Sequence, residues 1–444
     1  MIRSQRARLG TIAGLATLSL LAAACSSGSS SGGSGSGLTA SDTGITATTI
    51  TIGSHQPLTG IAAPGYSEIA PAANAYFSYV NAHGGIYGRR IVYKYLNDQY
   101  NPTITSTVVH QLILQDKVFA IFNGLGTPTH LAVAQFINSE HVPDVFVASG
   151  CECWNAPSTL PDTFGWQLDY VREGKILGTY IEQHFKGKKI GFFYQNDEFG
   201  QDGVKGLSYE IPKSQIVSKQ SYDPTNIKIG PQVAALKAAG AQVVVSFTVP
   251  AFTALLKLNM LGLKYAPQLA VSDVGSDPIT LAGLLASFAK NKTAGFGNSL
   301  TQGIITDSYL PSLGQTSNSW ISLFQGIYQK YLSKTIPAFD GNVLYGMSVG
   351  YTFVQAMFKA GKNPTRADLI SAINKGLAQA VAVAPFAYSA GDHNGITGAY
   401  IGTITNGALV PDTGVYVTDD SATGAITTDS TPQPAAPASG IPSP

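Results

Sequence analysis

Residues 50–60 are ITIGSHQPLTG, an alternating strand pattern that runs into a polar loop ending in glycine. A helix-compatible stretch follows, and NAHGGIYGRR (81–90) then makes a glycine-rich turn before a second strand pattern, IVYKYLNDQ (91–99). This order of elements predicts a βαβ unit with two parallel strands. Because open α/β sheets bind ligands at the carboxyl ends of their strands, we expect the loops at 56–66 and 97–101 to face a ligand.

Strand and helix patterns continue to alternate along the chain. The apolar runs of strand length are VFAIFNG (118–124), VPDVFVAS (142–149), KKIGFFYQ (188–195), QIVSKQSY (215–222), AQVVVSF (241–247) and PQLAVSD (267–273). Helical spacing fills the gaps, at 67–83, 104–115, 129–140, 172–185, 229–239 and 251–261. The alternation predicts the α/β class with parallel, doubly wound sheets. Roughly 380 residues lie between the two ends of the chain, enough for two lobes.

Three motifs in the first unit resemble the opening of the branched-chain amino-acid-binding proteins, the extracytoplasmic solute receptors of ABC importers. They are PLTG (57–60), NAHGGIYGR (81–89) and YLNDQYNP (95–102), at about the spacing of that family, and the resemblance continues through most of residues 48–400. It implies the type I periplasmic-binding-protein fold, in which two Rossmann-like lobes with parallel sheets are joined by three hinge crossings.

The same resemblance implies how the chain divides between the lobes. We place the crossings near Gln167, near 306–309 and near Gly395. The first lobe would then comprise residues 48–167 and 305–395, and the second lobe residues 168–304 and 396–419. The C-terminal third of the chain is therefore expected to rejoin the first lobe.

The N-terminal 25 residues have the pattern of an export signal. Three arginines (Arg3, Arg6 and Arg8) precede an apolar stretch at 9–21, and small residues precede Cys25. A small-residue run that ends in cysteine resembles a bacterial lipoprotein signal, in which Cys25 becomes the lipidated first residue. The alternative is an ordinary cleaved signal with an incidental cysteine. A lipidated Cys25 would anchor the exported protein on the outer face of the bacterial cell membrane.

Low-complexity segments flank the expected lobes. Residues 26–47 form a Ser/Gly/Thr-rich linker, whose Ser/Gly part should act as a flexible tether about 20 Å across. The Ser/Thr/Pro/Ala-rich tail at 420–444 is expected to be disordered. Beyond the signal, no run approaches about 18 uninterrupted apolar residues, so we expect no membrane span there.

Composition argues against several function classes. A formal net charge of +1 with 12% charged residues does not suggest a nucleic-acid surface. If Cys25 carries lipid, Cys151 and Cys153 remain as an even pair in an oxidising compartment, which suggests a disulfide, although a C-x-C bridge closes a strained ring. The scattered histidines have no zinc-like spacing, so we expect no metal site. No complete dinucleotide or P-loop motif occurs, and we expect no cofactor.

Two segments set hydroxyl groups between an apolar strand and a helix: NGLGTPTH (123–130) and ASGCECW (148–154). Hydroxyls beside the N–H groups of a helix N-terminus favour an anion, although Ser and Thr also serve simply as helix caps. The family resemblance implies that Thr127, Ala148 and Ser149 hold a ligand α-carboxylate.

The second lobe contributes candidates on the same basis. Phe199, in QNDEFG (195–200), stands where the family has a tyrosine, and Asp273 matches the residue that receives a ligand ammonium. The alternative for Asp273 is a solvated loop carboxylate or a helix cap. Further ligand-binding candidates are Tyr66, Trp154 and Thr248, although aromatic residues are more often core than ligand walls.

These features favour a receptor over an enzyme. No G-x-S-x-G or H-E-x-x-H motif occurs, although catalytic residues can also assemble from distant positions. We expect a monomeric receptor that binds a hydrophobic amino acid between closing lobes and delivers it to an ABC permease. A surface sensor for an amide, a urea-like solute or an aromatic carboxylate is the alternative, and an extracytoplasmic hydrolase is a lesser one.

Overall fold

The computed structural model describes residues 37–443, so Cys25 and the linker before residue 37 lie outside the described residues. In chain order the strands are β1 (Thr49–Gln56), β2 (Arg90–Asn97), β3 (Ile121–Phe122), β4 (Asp144–Val147), β5 (Thr163–Gly165), β6 (Ile190–Gln195), β7 (Ile216–Tyr222), β8 (Val243–Phe247), β9 (Gln268–Val271), β10 (Ile305–Ser308), β11 (Gly398–Thr405), β12 (Ala408–Pro411), β13 (Val415–Val417) and β14 (Thr427–Asp429).

The helices, in chain order, are α1 (Ala63–Tyr66), α2 (Ile69–Ala82), α3 (Pro102–His110), α4 (Thr127–Ser139), α5 (Tyr170–His184), α6 (Glu198–Glu210), α7 (Gly230–Ala238), α8 (Pro250–Gly262), α9 (Pro278–Phe288), α10 (Phe296–Thr301), α11 (Ser319–Tyr331), α12 (Gly341–Ala360) and α13 (Arg366–Asn374). A π-helical turn, Gln111–Gln115, extends α3. None of the helices in the described part of the chain is long and apolar enough to span a membrane.

The first sheet is parallel throughout, with strand order β2-β1-β3-β4-β5. Strands β1 and β2 pair in register from Thr49 opposite Arg90 to Gln56 opposite Asn97, which confirms the βαβ unit predicted from residues 50–99. Helices α2, α11 and α12 pack together beside this sheet, and α3 packs on α4. This sheet and its helices are called lobe 1.

The second sheet has strand order β14-β13-β11-β10-β9-β8-β6-β7, with β12 paired to β11. Strands β6 to β10 are parallel, whereas β11 to β14 form antiparallel pairs at one side. Every residue of β8 is buried, as its continuous apolar run predicts for a central parallel strand. This sheet with helices α5 to α10 is called lobe 2, and the two sheets of mostly parallel strands confirm the predicted fold class.

The chain passes between the sheets three times. It leaves lobe 1 between β5 and α5, returns after β10, and leaves again before β11. One expected boundary differs: residues 305–308 form β10 of the second sheet, rather than the start of the returning part of lobe 1. All four residues of β10 are buried, and the crossing follows at Tyr309.

Arg89, the last residue of the NAHGGIYGR motif, ties three segments of lobe 1 together. Its buried guanidinium donates hydrogen bonds to the backbone carbonyls of Thr46, Lys362 and Thr39, at 2.5–2.7 Å. Burial lowers the pKa of Arg89. The motif therefore stabilises lobe 1 at the amino ends of its strands, on the side away from the ligand-facing loops.

The C-terminal tail is ordered, contrary to the expectation from its composition. Strand β14 extends the second sheet, the Trp320 indole donates to the carbonyl of Pro434 at 2.7 Å, and the Tyr76 hydroxyl donates to Gly440 O at 3.0 Å. A proline-rich segment lacks N–H donors, but its carbonyls still accept, and here buried aromatic residues of lobe 1 supply the donors.

Candidate functional site

A cavity of about 360 Å³ lies between the lobes, where the strands of both sheets end. Residues just past the ends of parallel strands line it: Tyr66, Tyr100, Leu125, Thr127 and Ala148 from lobe 1, and Phe199, Val249, Asp273 and Tyr309 from lobe 2. The crossing segment adds Gln167 and Tyr170, and the returning chain adds Phe339, Leu344 and Tyr345. This is the crevice expected for open α/β sheets.

The lobe 1 wall is built around the start of α4. Gly126 precedes the helix with a φ of 102°, and a Cβ there would lie 2.4 Å from the Tyr100 ring and 2.5 Å from Thr129 Oγ1. Only glycine fits this position, and it provides no side-chain cap for the first helical turn. Pro128 has no N–H, so the N–H groups of Thr127 and Thr129, together with the Thr127 hydroxyl, form an electropositive end beside the cavity.

Thr127 is fixed by a neighbouring loop. Its hydroxyl lies 2.7 Å from Ser149 Oγ, and the Gly126 N–H donates to Ala148 O at 3.1 Å. Thr127 and Ala148 line the cavity, while buried Ser149 supports Thr127 from behind. The two segments that the sequence singled out, 123–130 and 148–154, are thus joined at this point.

The lobe 2 wall carries three carboxyl groups that meet at the start of a short turn, Asp273–Gly275. The Asp273 N–H donates to Glu173 Oε1 at 2.9 Å and to Asp307 Oδ1 at 3.0 Å. Asp273 lines the cavity, and the other two carboxyl groups are buried behind it. Glu173, Asp273 and Asp307 are called the acidic cluster below.

Burial raises the pKa of each carboxyl group in the acidic cluster. Burial raises the pKa of Asp273 well above its usual value, and the charge of Asp307 acts in the same direction. Burial, followed by the Glu173 carboxyl, likewise raises the pKa of Asp307. Burial also raises the pKa of Glu173 to about 7. Among the described residues that line the cavity there is no lysine, arginine or histidine to oppose these upward pKa shifts, which favour the protonated carboxyl groups.

Aromatic side chains make up much of the remaining wall. The rings of Tyr170 and Phe199 pack with centroids 4.6 Å apart. The Tyr345 hydroxyl donates to Gln167 Oε1 at 3.2 Å and accepts from Asn123 Nδ2 at 3.3 Å. Aromatic walls with a few oriented polar groups are typical of small-molecule sites.

Hydrogen bonds join the lobes around the cavity. The Tyr66 hydroxyl donates to Val274 O at 2.7 Å, and Gln195 Nε2 donates to the Tyr100 hydroxyl at 3.3 Å. At the rim, the Gly341 N–H of lobe 1 donates to Asp277 Oδ2 of lobe 2 at 2.9 Å. The lobes are thus in contact over the cavity, in a closed arrangement.

The structure brings most of the sequence-predicted ligand residues to the cavity. Those that line it are Tyr66, Thr127, Ala148, Phe199 and Asp273. Phe199 packs its ring against Tyr170 and so contributes an apolar face without a hydroxyl. The structure also joins Cys151 and Cys153 by a disulfide, in the loop that follows Ser149.

Three predicted ligand residues do not line the cavity: Ser149 lies behind Thr127, and Trp154 and Thr248 lie elsewhere. Trp154 is buried in lobe 1 with its ring 5.0 Å from that of His130, so it packs in the core. The Thr248 hydroxyl lies 2.7 Å from Thr253 Oγ1, which stabilises the start of α8 instead of facing the cavity. In both cases a residue after a strand end turns inward, a difference that strand patterns do not encode.

Several lining residues were missed from the sequence. Tyr100 lies in the loop at 97–101, which was expected to face a ligand, but no side chain there was chosen. Tyr170, which follows the first crossing by three residues, was not chosen either. Tyr170 could have been found from the sequence by its proximity to a crossing, because the hinge segments pass between the lobes beside the cavity.

No cluster of histidine, cysteine or carboxylate side chains suited to a metal ion occurs among the described residues. The acidic cluster instead has the charge to receive an organic cation, and the start of α4 has the charge to receive an anion. One cavity therefore offers complementary charges from opposite lobes.

Comparison with known proteins places this geometry in a family. A periplasmic binding protein family model matches residues 49–408. A Leu/Ile/Val-binding protein homolog from Brucella melitensis is 27% identical over 205 residues, which cover 44% of this chain and 53% of the relative. An amino acid binding protein from Pseudomonas aeruginosa is 26% identical over 183 residues, which cover 36% and 46% of the two chains. The chain spans about half the length of these curated relatives.

Solved structures show the same fold. A branched-chain amino acid ABC transporter protein from Thermus thermophilus with bound valine has a TM-score of 0.72 at 19% identity, covering 84% of this chain and 97% of the other. A fatty acid ABC transporter substrate-binding protein from Thermomonospora curvata has a TM-score of 0.68 at 22% identity, covering 83% and 93%. The predicted resemblance and the type I fold are confirmed, and the chain belongs to the periplasmic binding protein family.

Proposed function

We propose that this protein is the extracytoplasmic receptor of an ABC importer and that it binds a hydrophobic amino acid between its lobes for delivery to a permease. The observation that carries the proposal is the pairing of the acidic cluster in lobe 2 with the electropositive start of α4 in lobe 1, both on one closed cavity. A zwitterion matches both charges at once.

The ligand ammonium would lie against Asp273. Buried carboxylates without a cationic partner are costly, and the acidic cluster lacks a basic partner among the described lining residues. A bound ammonium would replace the protons that the empty cluster retains. Part of the binding free energy would therefore come from pairing these buried carboxyl groups with a positive charge.

The ligand carboxylate would accept hydrogen bonds at the start of α4. Thr127 supplies a hydroxyl held by Ser149, and the first helical turn supplies N–H groups without a side-chain cap. Leu125, Phe199 and Val249 supply apolar surface for the ligand side chain. Contacts from both lobes are what allow a ligand to shift the population toward the closed form.

A second candidate ligand is a longer aliphatic acid or amino acid. Apolar residues continue from the buried end of the cavity to its mouth, where Ile279 is 42% exposed and Leu313 and Leu409 are half-buried. The Thermomonospora curvata neighbour is a fatty acid ABC transporter substrate-binding protein. An acid without an amine would meet the acidic cluster only in its protonated state, which makes the amino acid the better fit.

Thermal-shift screening of residues 38–444 tests the proposal, with isothermal calorimetry on each hit. The panel contains leucine, isoleucine, valine, phenylalanine, amides and aliphatic and aromatic acids. A ligand at about 100 times its dissociation constant should stabilise the fold by about 2.7 kcal/mol. A saturable hit on an amino acid supports the proposal, whereas hits on acids alone would discard the ammonium role of Asp273.

We also propose that the protein is exported and anchored through lipid on Cys25, since family membership implies an extracytoplasmic location. Cys25 lies outside the described residues, so this proposal rests on the sequence pattern at 1–25. Metabolic labelling with an alkyne fatty acid in a bacterial host should label the wild-type protein and fail to label Cys25→Ser. Equal labelling of Cys151→Ser/Cys153→Ser serves as the control, and an unlabelled wild-type protein would contradict the anchor.

A further inference from the structure

Four buried side chains form a continuous hydrogen-bonded row beneath the lobe 1 wall of the cavity. Asp98 Oδ2 lies 2.7 Å from His55 Nδ1, His55 Nε2 lies 2.9 Å from His130 Nδ1, and His130 Nε2 lies 2.8 Å from Asp144 Oδ2. All four residues are buried. They are called the Asp–His–His–Asp row, and none of them lines the cavity.

The number of protons in this row follows from its contacts. Each of its three contacts needs one hydrogen, and two neutral imidazoles supply only two N–H groups. The row therefore holds one additional proton, and its place on a ring nitrogen rather than on a carboxyl oxygen would make that ring an imidazolium between two carboxylates. A fourth ring proton would set two N–H groups against each other across the 2.9 Å between His55 and His130.

Burial disfavours the charged form of the His55 ring. Burial lowers the pKa of His55, and His130 acts in the same direction, while Asp98 and Asp144 oppose them. These are the charged groups that act on His55. The uncharged ring of Trp154 covers His130 from the side.

The row is bonded to the loops that carry the cavity wall. Asp98 Oδ1 accepts from the N–H of Tyr100 at 2.9 Å, and His55 O accepts from the N–H of Leu125 at 3.2 Å. His130 belongs to the first turns of α4, three residues after Thr127. A Cβ on Gly124 would lie 2.5 Å from His55 Nε2, so the loop packs directly on the row.

Two hydroxyls complete the ends of the row. Thr105 Oγ1 donates to Asp98 Oδ2 at 3.0 Å, and Thr163 Oγ1 donates to Asp144 Oδ2 at 2.9 Å. These bonds join α3 and β5 to the same network. Charge-assisted bonds between buried groups are stronger than neutral ones, so the row is a rigid support.

We infer that the Asp–His–His–Asp row positions Tyr100, Leu125 and Thr127 and that it does so in a state with three ring protons. Acidification that adds a fourth proton would break the central contact and loosen the lobe 1 wall. The role in ligand affinity rests on the proposed function, whereas the proton count and the loop positioning do not.

Nitrogen-15 NMR of the full-length protein with labelled histidine tests the proton count. The spectra between pH 6 and 8 should show three N–H protons on the four ring nitrogens of His55 and His130, assigned with His55→Gln and His130→Gln. A spectrum with two or four protons on this pair would overturn the inference.

Amide hydrogen exchange of the ligand-free protein tests the positioning. Asp144→Asn should speed exchange at Tyr100 and Leu125 roughly tenfold, the equivalent of one weakened charge-assisted bond. The matched control is Asp162→Asn, because Asp162 faces the exposed His141 in the same lobe at 3.8 Å and should leave exchange unchanged. Unchanged exchange in Asp144→Asn would overturn the positioning role.

Leucine calorimetry between pH 5 and 8 then separates this inference from the proposed function. Leucine affinity should fall at acidic pH in the wild-type protein, and Asp144→Asn should change the midpoint of that fall. If leucine does not bind at all, the proposed ligand fails, but the NMR and exchange results still decide the inference. If leucine binds with no pH-dependent fall, the acid-loosening step is overturned while the proposed function stands.

Discussion

Asp273 is the residue on which ligand recognition depends most directly. Asp273→Asn removes the negative charge and keeps the size, so leucine affinity should fall by about 2 to 5 kcal/mol if the ammonium is buried against it. Calorimetry of the variant measures this loss. Asp223→Asn is the matched control, since Asp223 is an exposed carboxylate of the same lobe whose side chain bonds only to Thr225. Unchanged affinity in Asp273→Asn would remove the residue from the site and favour a ligand without an amine.

Glu173 gives the ligand-free protein a pH-dependent stability. Burial raises the pKa of Glu173 to about 7 from an unfolded value of 4.5, so the folded state binds the proton more tightly than the unfolded state. The stability from this proton is complete below pH 4.5 and is lost as the pH rises to about 7. The loss amounts to about 3 kcal/mol.

Thermal unfolding of the ligand-free protein between pH 4.5 and 8 measures this effect. The Tm should fall with rising pH, and Glu173→Gln should reduce the slope because the neutral amide needs no proton. Glu140→Gln, at an exposed position of lobe 1, is expected to keep the wild-type slope. A Glu173→Gln curve parallel to the wild-type curve would contradict the assignment of the proton to this cluster.

At the scale of elements, the packing of α5 on α6 places the acidic cluster. A Cβ on Gly206 would lie 2.1 Å from Val171 O, so the two helices touch through their backbones. Helix α5 carries Tyr170 and Glu173, and α6 begins beside Phe199. The glycine contact therefore fixes one side of the cavity.

Gly206→Ala should force these helices apart. We expect a loss of about 1 to 3 kcal/mol in the free energy of unfolding, since the added methyl meets backbone that cannot move away. Gly283→Ala is the matched control in α9, where a Cβ meets nothing within 4 Å, and it should raise stability by up to about 1 kcal/mol. Urea denaturation of both variants checks the opposite signs, and equal effects would contradict the close packing.

Periodicity predicted the elements that are regular and buried. Strands β6, β8 and β9 lie within runs identified from apolar pattern alone. Strand β5 was missed because its three residues, TFG, are too short to show a period. The order of the C-terminal tail was not predicted because its partners, such as Trp320, are distant in sequence. The composition of a segment indicates only whether that segment could fold by itself.

The candidate site was predictable to the extent that it depends on strand ends. Asp273 and Thr127 follow strands, and the family resemblance singled them out. The partners that set their chemistry were not predictable. Glu173 lies in α5 and Asp307 in β10, and only the tertiary fold brings them to Asp273. The same holds for the Asp–His–His–Asp row, whose four members come from separate elements.

At the scale of the whole molecule, the closed lobes leave an apolar path from the acidic cluster to the cavity mouth. Leu409, on β12, lines this path and is half-buried, whereas the next residue, Val410, is 46% exposed and does not line it. Partly exposed apolar side chains that line a cavity are suited to a ligand's apolar tail. The second candidate ligand class is therefore testable through the length of the ligand.

Affinity should rise from valine to leucine to 2-aminooctanoic acid, by about fourfold for each methylene that becomes buried. Leu409→Ser should weaken 2-aminooctanoic acid more than valine, because only the longer side chain reaches the mouth. Val410→Ser should leave both affinities unchanged. Calorimetry measures the affinity for each ligand of this series. The same measurement with octanoic acid, which has the apolar tail but no amine, shows how much of the affinity comes from the tail alone. Affinity that declines beyond leucine would mean that the closed lobes exclude longer chains, and the cavity would then fit a branched-chain amino acid with solvent filling its mouth.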